Sequence, residues 1–233
     1  MSGSVYVVTG GTGALGGSVV RRLIARGDRL AIPYRGGHAF SELLSIGSTD
    51  ALFGAVADMS DAASARRFCD AAAERFGRID GAALLAGAYA GSSTFEAAPQ
   101  SEWSEMLSAN LQSVYASCRA LVPQLLKGGG SVVTIGSRTA AAGGAGAAAY
   151  AVSKTAVVAL TRALALENEP RGIRFNSVEP GTIDTPANRA AMPKADFSAW
   201  TPPDQIAEVI AFLLSPASAP ISGATIPVDG RAR

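Results

Sequence analysis

The 233 residues carry 20 basic and 19 acidic side chains, a formal net charge of +1 and 48% hydrophobic residues. That length suffices for one substantial α/β core. The near-neutral balance, with no Lys/Arg run, excludes a nucleic-acid arm or an anionic-membrane patch, so neither partner is expected. No uninterrupted apolar stretch reaches the ~18 residues of a membrane span. A strand-like run beginning at Val5 leaves no room for a signal peptide, and a cytoplasmic location is expected. Cys69 and Cys118 lack metal or redox spacing and read as buried thiols. His38 is the single histidine, which argues against a His-assisted hydrolase and against a metal centre.

In chain order, residues 5–8 predict a strand, 15–26 a helix and 30–34 a second strand. Residues 51–57 predict a third strand, 62–76 a helix with apolar positions at helical spacing, and 82–86 a fourth strand. A Gly/Ser loop leads to a helix from about 102 to 126, a strand over 131–135, a helix over 150–166 and a strand over 175–178. A helix over 203–214 and a strand over 225–228 close the chain. Strands that are continuously apolar and alternate with helices predict a parallel sheet covered on both faces, in one domain over 1–233. Residues 181–203 lack a period and are expected to form a lid over a substrate.

The first strand runs into Thr9-Gly10-Gly11-Thr12-Gly13-Ala14-Leu15-Gly16, and a helix follows. Glycine at 10, 13 and 16 permits a tight turn whose backbone can touch a pyrophosphate, while the helix N-terminus aims free N–H groups at it. Gly10, Thr12, Gly13, Leu15 and Gly16 are therefore candidate cofactor contacts. A site that prefers NAD places Asp or Glu at the end of the second strand, whereas Arg suits a 2′-phosphate. Here that strand ends Pro33-Tyr34-Arg35, with no carboxylate before Glu42. Tyr34 and Arg35 thus point to NADP(H), with NAD(H) as the alternative. Asp58, followed by Met59 after the third strand, is placed to accept from an adenine amino group; capping the next helix is its other reading.

Tyr150 and Lys154 stand four apart at the start of a helical pattern and share a face. A phenol is a sluggish acid–base group at neutral pH, and a neighbouring ammonium is expected to lower its pKa. Such a pair is suited to protonating the oxygen of a carbonyl that receives hydride. Five tyrosines and three lysines predict only about 0.06 such pairs by chance. Lysine is rare here against 17 arginines, yet the position beside Tyr150 is Lys, whose pKa shifts readily.

With these residues in hand, the chain resembles a short-chain dehydrogenase/reductase over essentially its whole length. The Tyr-x-x-x-Lys motif is Tyr150-Ala151-Val152-Ser153-Lys154, the family serine falls on Ser137 and the helix asparagine on Asn110. Asn176 to Pro180-Gly181 matches the Asn-x-x-x-Pro-Gly motif, and Ser222-Gly223-Ala224 through Val228-Asp229-Gly230 matches the terminal pattern. The resemblance implies a Rossmann-type, doubly wound, mostly parallel seven-stranded sheet with helices on both faces. It implies that Ser137 orients the substrate oxygen, Tyr150 carries the proton, Lys154 holds the nicotinamide ribose and Asn110 holds a relay water. Ala86 and Gly87 after the fourth strand, with Pro180, Gly181, Ile183 and Thr185, would border the cofactor. Ala14 and Leu84-Leu85 depart from the family pattern, which has Gly and Asn-Asn there. Residues 184–189, 192–193 and 195–202 of the lid segment are similar to dihydropteridine reductases.

The expected activity is NADPH-dependent reduction of a ketone or aldehyde. A dihydropteridine reductase-like activity on a pterin-like substrate is one alternative, and a non-catalytic NADP(H)-binding sensor another. Tyr89, Arg138, Phe197 and Trp200 are expected to border the substrate beside Ser137. Apolar residues around the helix after Tyr150 predict that it is covered on more than one side, and the resemblance implies a homodimer or homotetramer through it.

Overall fold

The computed structural model describes residues 3–92, 94–125 and 128–230, without the side chains of 37–39. Among these residues seven strands form one sheet: β1 (Val5–Thr9), β2 (Arg29–Tyr34), β3 (Leu52–Val56), β4 (Gly81–Leu84), β5 (Gly130–Ile135), β6 (Ile173–Pro180) and β7 (Thr225–Val228). Their order is β3-β2-β1-β4-β5-β6-β7, and every pairing is parallel. The chain runs outward from β1 to β3, then returns to lay β4 on the other side of β1. The crevice at this switch point, beyond the carboxyl ends of the strands, is where ligands bind in open α/β sheets.

The helices are α1 (Ala14–Ala25), α2 (Gly37–Leu43), α3 (Ala62–Phe76), α4 (Gln100–Met106), α5 (Ser113–Leu125), α6 (Arg138–Ala141), α7 (Ala148–Asn168), α8 (Pro186–Ala191) and α9 (Pro203–Leu214). Two cores fill the layers. Val5, Val7, Leu84, Val132 and Phe175 pack under α3, α5 and α7 on one face. Tyr6, Val8, Ile32, Val133 and Val178 pack under α1 and α9 on the other. Alternate side chains of each strand go to opposite faces, so strands buried on both sides are largely apolar, with Thr134, Asn176 and Ser177 among the buried polar exceptions.

Three differences from the sequence reading are physical. The helix expected over 102–126 is α4, a π-helical segment (Leu107–Gln112) and α5 in series, beginning at Gln100. A π-bulge adds a residue to one turn without breaking apolar periodicity, so periodicity cannot reveal it. The short helices α2, α6 and α8 have too few turns to show a period. The lid segment is ordered locally by α8, whose N-cap Thr185 accepts from Asn188 N–H. His38 lies outside the residues whose side chains are described.

By length and mean hydropathy, α7 is apolar enough to cross a bilayer. It is a core helix nonetheless: it packs on β5 and β6 and buries Ser153, Lys154, Thr161 and Asn168.

Candidate active site

The turn between β1 and α1 closes on itself. Gly10 takes the left-handed conformation, at φ +67°. A Cβ on Gly10 would lie 2.8 Å from the Ala86 nitrogen, and one on Gly16 would lie 2.0 Å from the Gly10 carbonyl oxygen. The Gly13 amide donates to that carbonyl (3.0 Å), and Gly13 caps α1 with no side chain in the way. Thr12 and Leu15 are half-buried, while Gly13 is open to solvent. Bare backbone and the free first-turn N–H groups of a 12-residue helix make a cradle that fits a dinucleotide pyrophosphate. Thr9 Oγ1 accepts from Ala86 N–H (3.1 Å), bracing β1 to the β4 loop where the family has asparagines. Leu84 and Leu85 instead enter the cores of the two faces.

At the far end of β2, Arg35 is exposed and Tyr34 stacks on Phe40 (centroids 5.0 Å, 14°). Asp58 Oδ1 accepts from the Ser60 amide (2.9 Å) and hydroxyl (2.7 Å). The Ser60 hydrogen bonds, with a smaller contribution from the Arg35 charge, hold its carboxyl below the usual carboxylate range. The N-cap of α3 is Asp61, which accepts from Ser64 N–H (2.7 Å), so the capping reading of Asp58 is corrected. Met59 turns its side chain into the core and offers this region its backbone alone.

Beyond β4 and β5 the four expected catalytic residues come together. Ser137 caps α6, accepting from Ala140 N–H (3.2 Å), and its side chain stands near enough to Tyr150 to draw the phenol's pKa downward. Tyr150 lies in the first turn of α7, and Lys154, buried one turn on, donates to the Ile135 carbonyl (3.1 Å). Gly87 separates Lys154 from Asn110: a Cβ there would fall 3.2 Å from Nζ and 2.6 Å from Asn110 Oδ1.

Asn110 is fully buried in the π-helical segment. Its Oδ1 accepts from Ala88 N–H (2.9 Å), and its Nδ2 donates to the Ala88 carbonyl (3.0 Å) and to Ser153 Oγ (3.0 Å). The side-chain amide is thus anchored by protein partners, with one acceptor position of Oδ1 left over.

Electrostatics correct one expectation. Burial pushes the Tyr150 phenol above its ordinary value; the neighbouring Ser137 side chain opposes this and Tyr89 adds to it. Lys154 itself is driven down by burial to about 8. Desolvation sets the direction of the Tyr150 shift, and the Lys154 ammonium is not among the groups that move it. Tyr89 is exposed and sets its ring edge against Tyr150 (4.9 Å, 72°).

On the lid side, Pro180 ends β6, and the Gly181 amide donates to Val228 O (3.1 Å). Ile183 bridges to Thr201 and accepts from Asn188 Nδ2 (2.8 Å). Arg138 Nε donates to Asp229 Oδ2 (3.1 Å). Phe197 packs on Trp200 (4.7 Å) with the Arg189 guanidinium 4.9 Å over its ring, so the lid aromatics contact each other.

The sequence reading missed Thr9, Ser153, Asn188 and Asp229 as positioning groups. All four stood inside segments already singled out: the glycine turn, the Tyr-Lys pair, the lid segment and the terminal pattern. A doubly wound sheet with a glycine cradle and a Ser-Tyr-Lys cluster at its carboxyl edge defines a class, the dinucleotide-dependent oxidoreductases.

A family model described as Enoyl-(Acyl carrier protein) reductase matches residues 11–230. D-threitol dehydrogenase of Mycolicibacterium smegmatis is 32% identical over 249 residues, covering 99% of this chain and 93% of that protein. Among solved structures, 3-ketoacyl-(acyl-carrier-protein) reductase from Brucella melitensis, complexed with NADH, matches at TM-score 0.89 and 27% identity over 99% and 98% of the two chains. A short-chain oxidoreductase from Pseudomonas aeruginosa PAO1, bound to NADPH and containing an atypical catalytic center, matches at 0.90 and 29% over 99% and 96%. The chain belongs to the short-chain dehydrogenase/reductase family and is an oxidoreductase.

Proposed function

We propose that this protein reduces a ketone or aldehyde with NADPH, with Tyr150 as the proton donor. The observation that carries the reading is Ser137 beside the Tyr150 phenol with buried Lys154 one helical turn on, at the edge of the sheet that also holds the glycine cradle. The bound nicotinamide would supply hydride to the carbonyl carbon. Ser137 hydrogen-bonds and orients the carbonyl oxygen, and Tyr150 gives that oxygen its proton. The phenol is protonated at neutral pH and so carries the proton that the carbonyl oxygen takes. Lys154 would hold the nicotinamide ribose, and Asn110 braces the loop and helix around it.

NADP(H) preference rests on Arg35, an exposed guanidinium at the end of β2 where a carboxylate would favour NAD(H). Val152 (46% exposed) and Leu166 (75%) on α7 and Tyr115 (41%) on α5 are exposed apolar side chains that a homodimer or homotetramer through these helices would cover.

The deciding experiment is a cofactor-oxidation screen with NADPH and NADH against ketones, aldehydes and quinonoid dihydropterin. Turnover of carbonyls with NADPH supports the reading. Turnover of the pterin alone moves the assignment to a dihydropteridine reductase-like activity. Cofactor binding with no oxidation on any substrate leaves a binding protein.

A further inference from the structure

A cavity of about 420 Å³ opens between the loop after β4, the start of α4 and the start of α7. It is lined by Ala148 and Ala149 of α7, by Phe95 and Trp103, and by Gln100 and Glu102 of α4. Glu102 is the charged residue among those that line it, and it is only 7% exposed, a rare degree of burial for a glutamate. Its Oε2 accepts from the Ser92 hydroxyl (2.7 Å), and the Ser92 amide donates to the carbonyl of Gly146 (2.7 Å), which also borders the cavity. The carboxylate thus reaches from α4 to the stretch that leads into α7.

A carboxylate can accept about four hydrogen bonds, and among the described residues Ser92 is the one side chain that donates to it. No Lys or Arg occurs between Arg78 and Arg119, whereas Glu96, Glu102 and Glu105 all fall in that interval. The α4 side therefore brings negative charge without a counterion, and the α7 side brings Gly and Ala. A buried carboxylate short of donors is costly. An ammonium supplies both the opposite charge and three donors, and aromatic side chains favour a cation beside them. We infer that this cavity is a binding site for an organic cation, a primary ammonium carried on an apolar body, with Glu102 receiving the ammonium and Phe95 and Trp103 packing against the body. Ala149 directly precedes Tyr150, so the occupant borders the turn that presents the phenol. The inference concerns binding alone and stands or falls apart from the reductase reading.

The test titrates ¹⁵N-labelled protein at neutral pH with benzylammonium chloride, benzyl alcohol and sodium benzoate, following the Ala148 and Ala149 amides and the Trp103 indole by NMR. Benzylammonium should saturate these signals with a Kd of about 10 mM or tighter, and the alcohol and the benzoate should bind at least about tenfold more weakly. Glu102→Gln keeps an oxygen for the Ser92 hydroxyl but loses the charge. It should weaken benzylammonium by about tenfold or more and leave benzyl alcohol within about threefold. Gln100→Lys, at an exposed lining position, sets a cation at the rim and should weaken benzylammonium in the same way, which keeps the inference testable should Glu102→Gln not fold. Equal affinity for the ammonium and the alcohol in wild type, or no shift of these signals up to about 50 mM, overturns the inference. So does a preference for the ammonium that survives in either folded variant.

Discussion

Asn110 and Ser153, 43 residues apart, share a buried hydrogen bond of 3.0 Å, and Ser153 passes it on by donating to the Tyr150 carbonyl at 2.8 Å. The π-helical segment is thereby fastened to the turn of α7 that presents the phenol. Ser153 also lies inside the Tyr-x-x-x-Lys motif, so a residue that touches no reacting atom fixes the height of one that does.

Ser153→Ala removes that link and leaves an amide proton of buried Asn110 short of a partner. A loss of about 1–3 kcal/mol in stability is expected, or roughly 2–10 °C in Tm. Activity should fall more in kcat than in KM, because the phenol shifts while the cradle does not. Scanning calorimetry and steady-state kinetics together check this; unchanged kcat would show that the phenol is held by other contacts.

Tyr150→Phe deletes the proton donor while keeping the ring against Tyr89. Reduction should drop by about 10²–10⁴-fold. NADPH affinity, followed by its fluorescence, should stay within about threefold of wild type, since the glycine cradle is untouched. Wild-type turnover in this variant would rule out the proposed proton path.

Arg35→Asp replaces a cation suited to phosphate by an acceptor suited to a ribose hydroxyl. A charge-assisted contact of about 1.5–3 kcal/mol corresponds to a rise in the NADPH KM of roughly 10- to 100-fold. The NADH KM should fall or hold. Equal effects on the two cofactors would mean that Arg35 does not meet the 2′-phosphate.

Lys154 makes stability depend on pH in a direction unusual for a lysine. Burial lowers its folded pKa to about 8 from an ordinary 10.5, so between those values the unfolded chain binds a proton the folded one lacks. Stability from this group therefore rises with pH across that window, by roughly 2–3 kcal/mol between pH 7 and pH 10. Cys69 and Cys118, both pushed up to about 12 by burial, act oppositely above pH 9. Urea unfolding of wild type and Lys154→Met isolates the lysine: the difference should move in favour of wild type as pH rises. A difference that stays flat would mean the amine remains charged in the folded state.

Much of this architecture is written locally. The apolar runs behind β1 and β5, the helical spacing of α3 and the glycine turn depend on neighbours within a few residues, and each stands where the sequence indicated. The Tyr150–Lys154 pair needs only one helical turn to come together.

What the tertiary structure alone decided joins residues distant in sequence. Ala86 meets Thr9, Asp229 meets Arg138 and Ala88 meets Asn110 because the strand order brings separate loops to one edge of the sheet. The same holds for charge: the sequence put a lysine beside a tyrosine, but only the packing of α7 on β5 and β6 buried that lysine. Desolvation depends on everything that surrounds a group, and so it reversed the shift of the tyrosine that adjacency predicted.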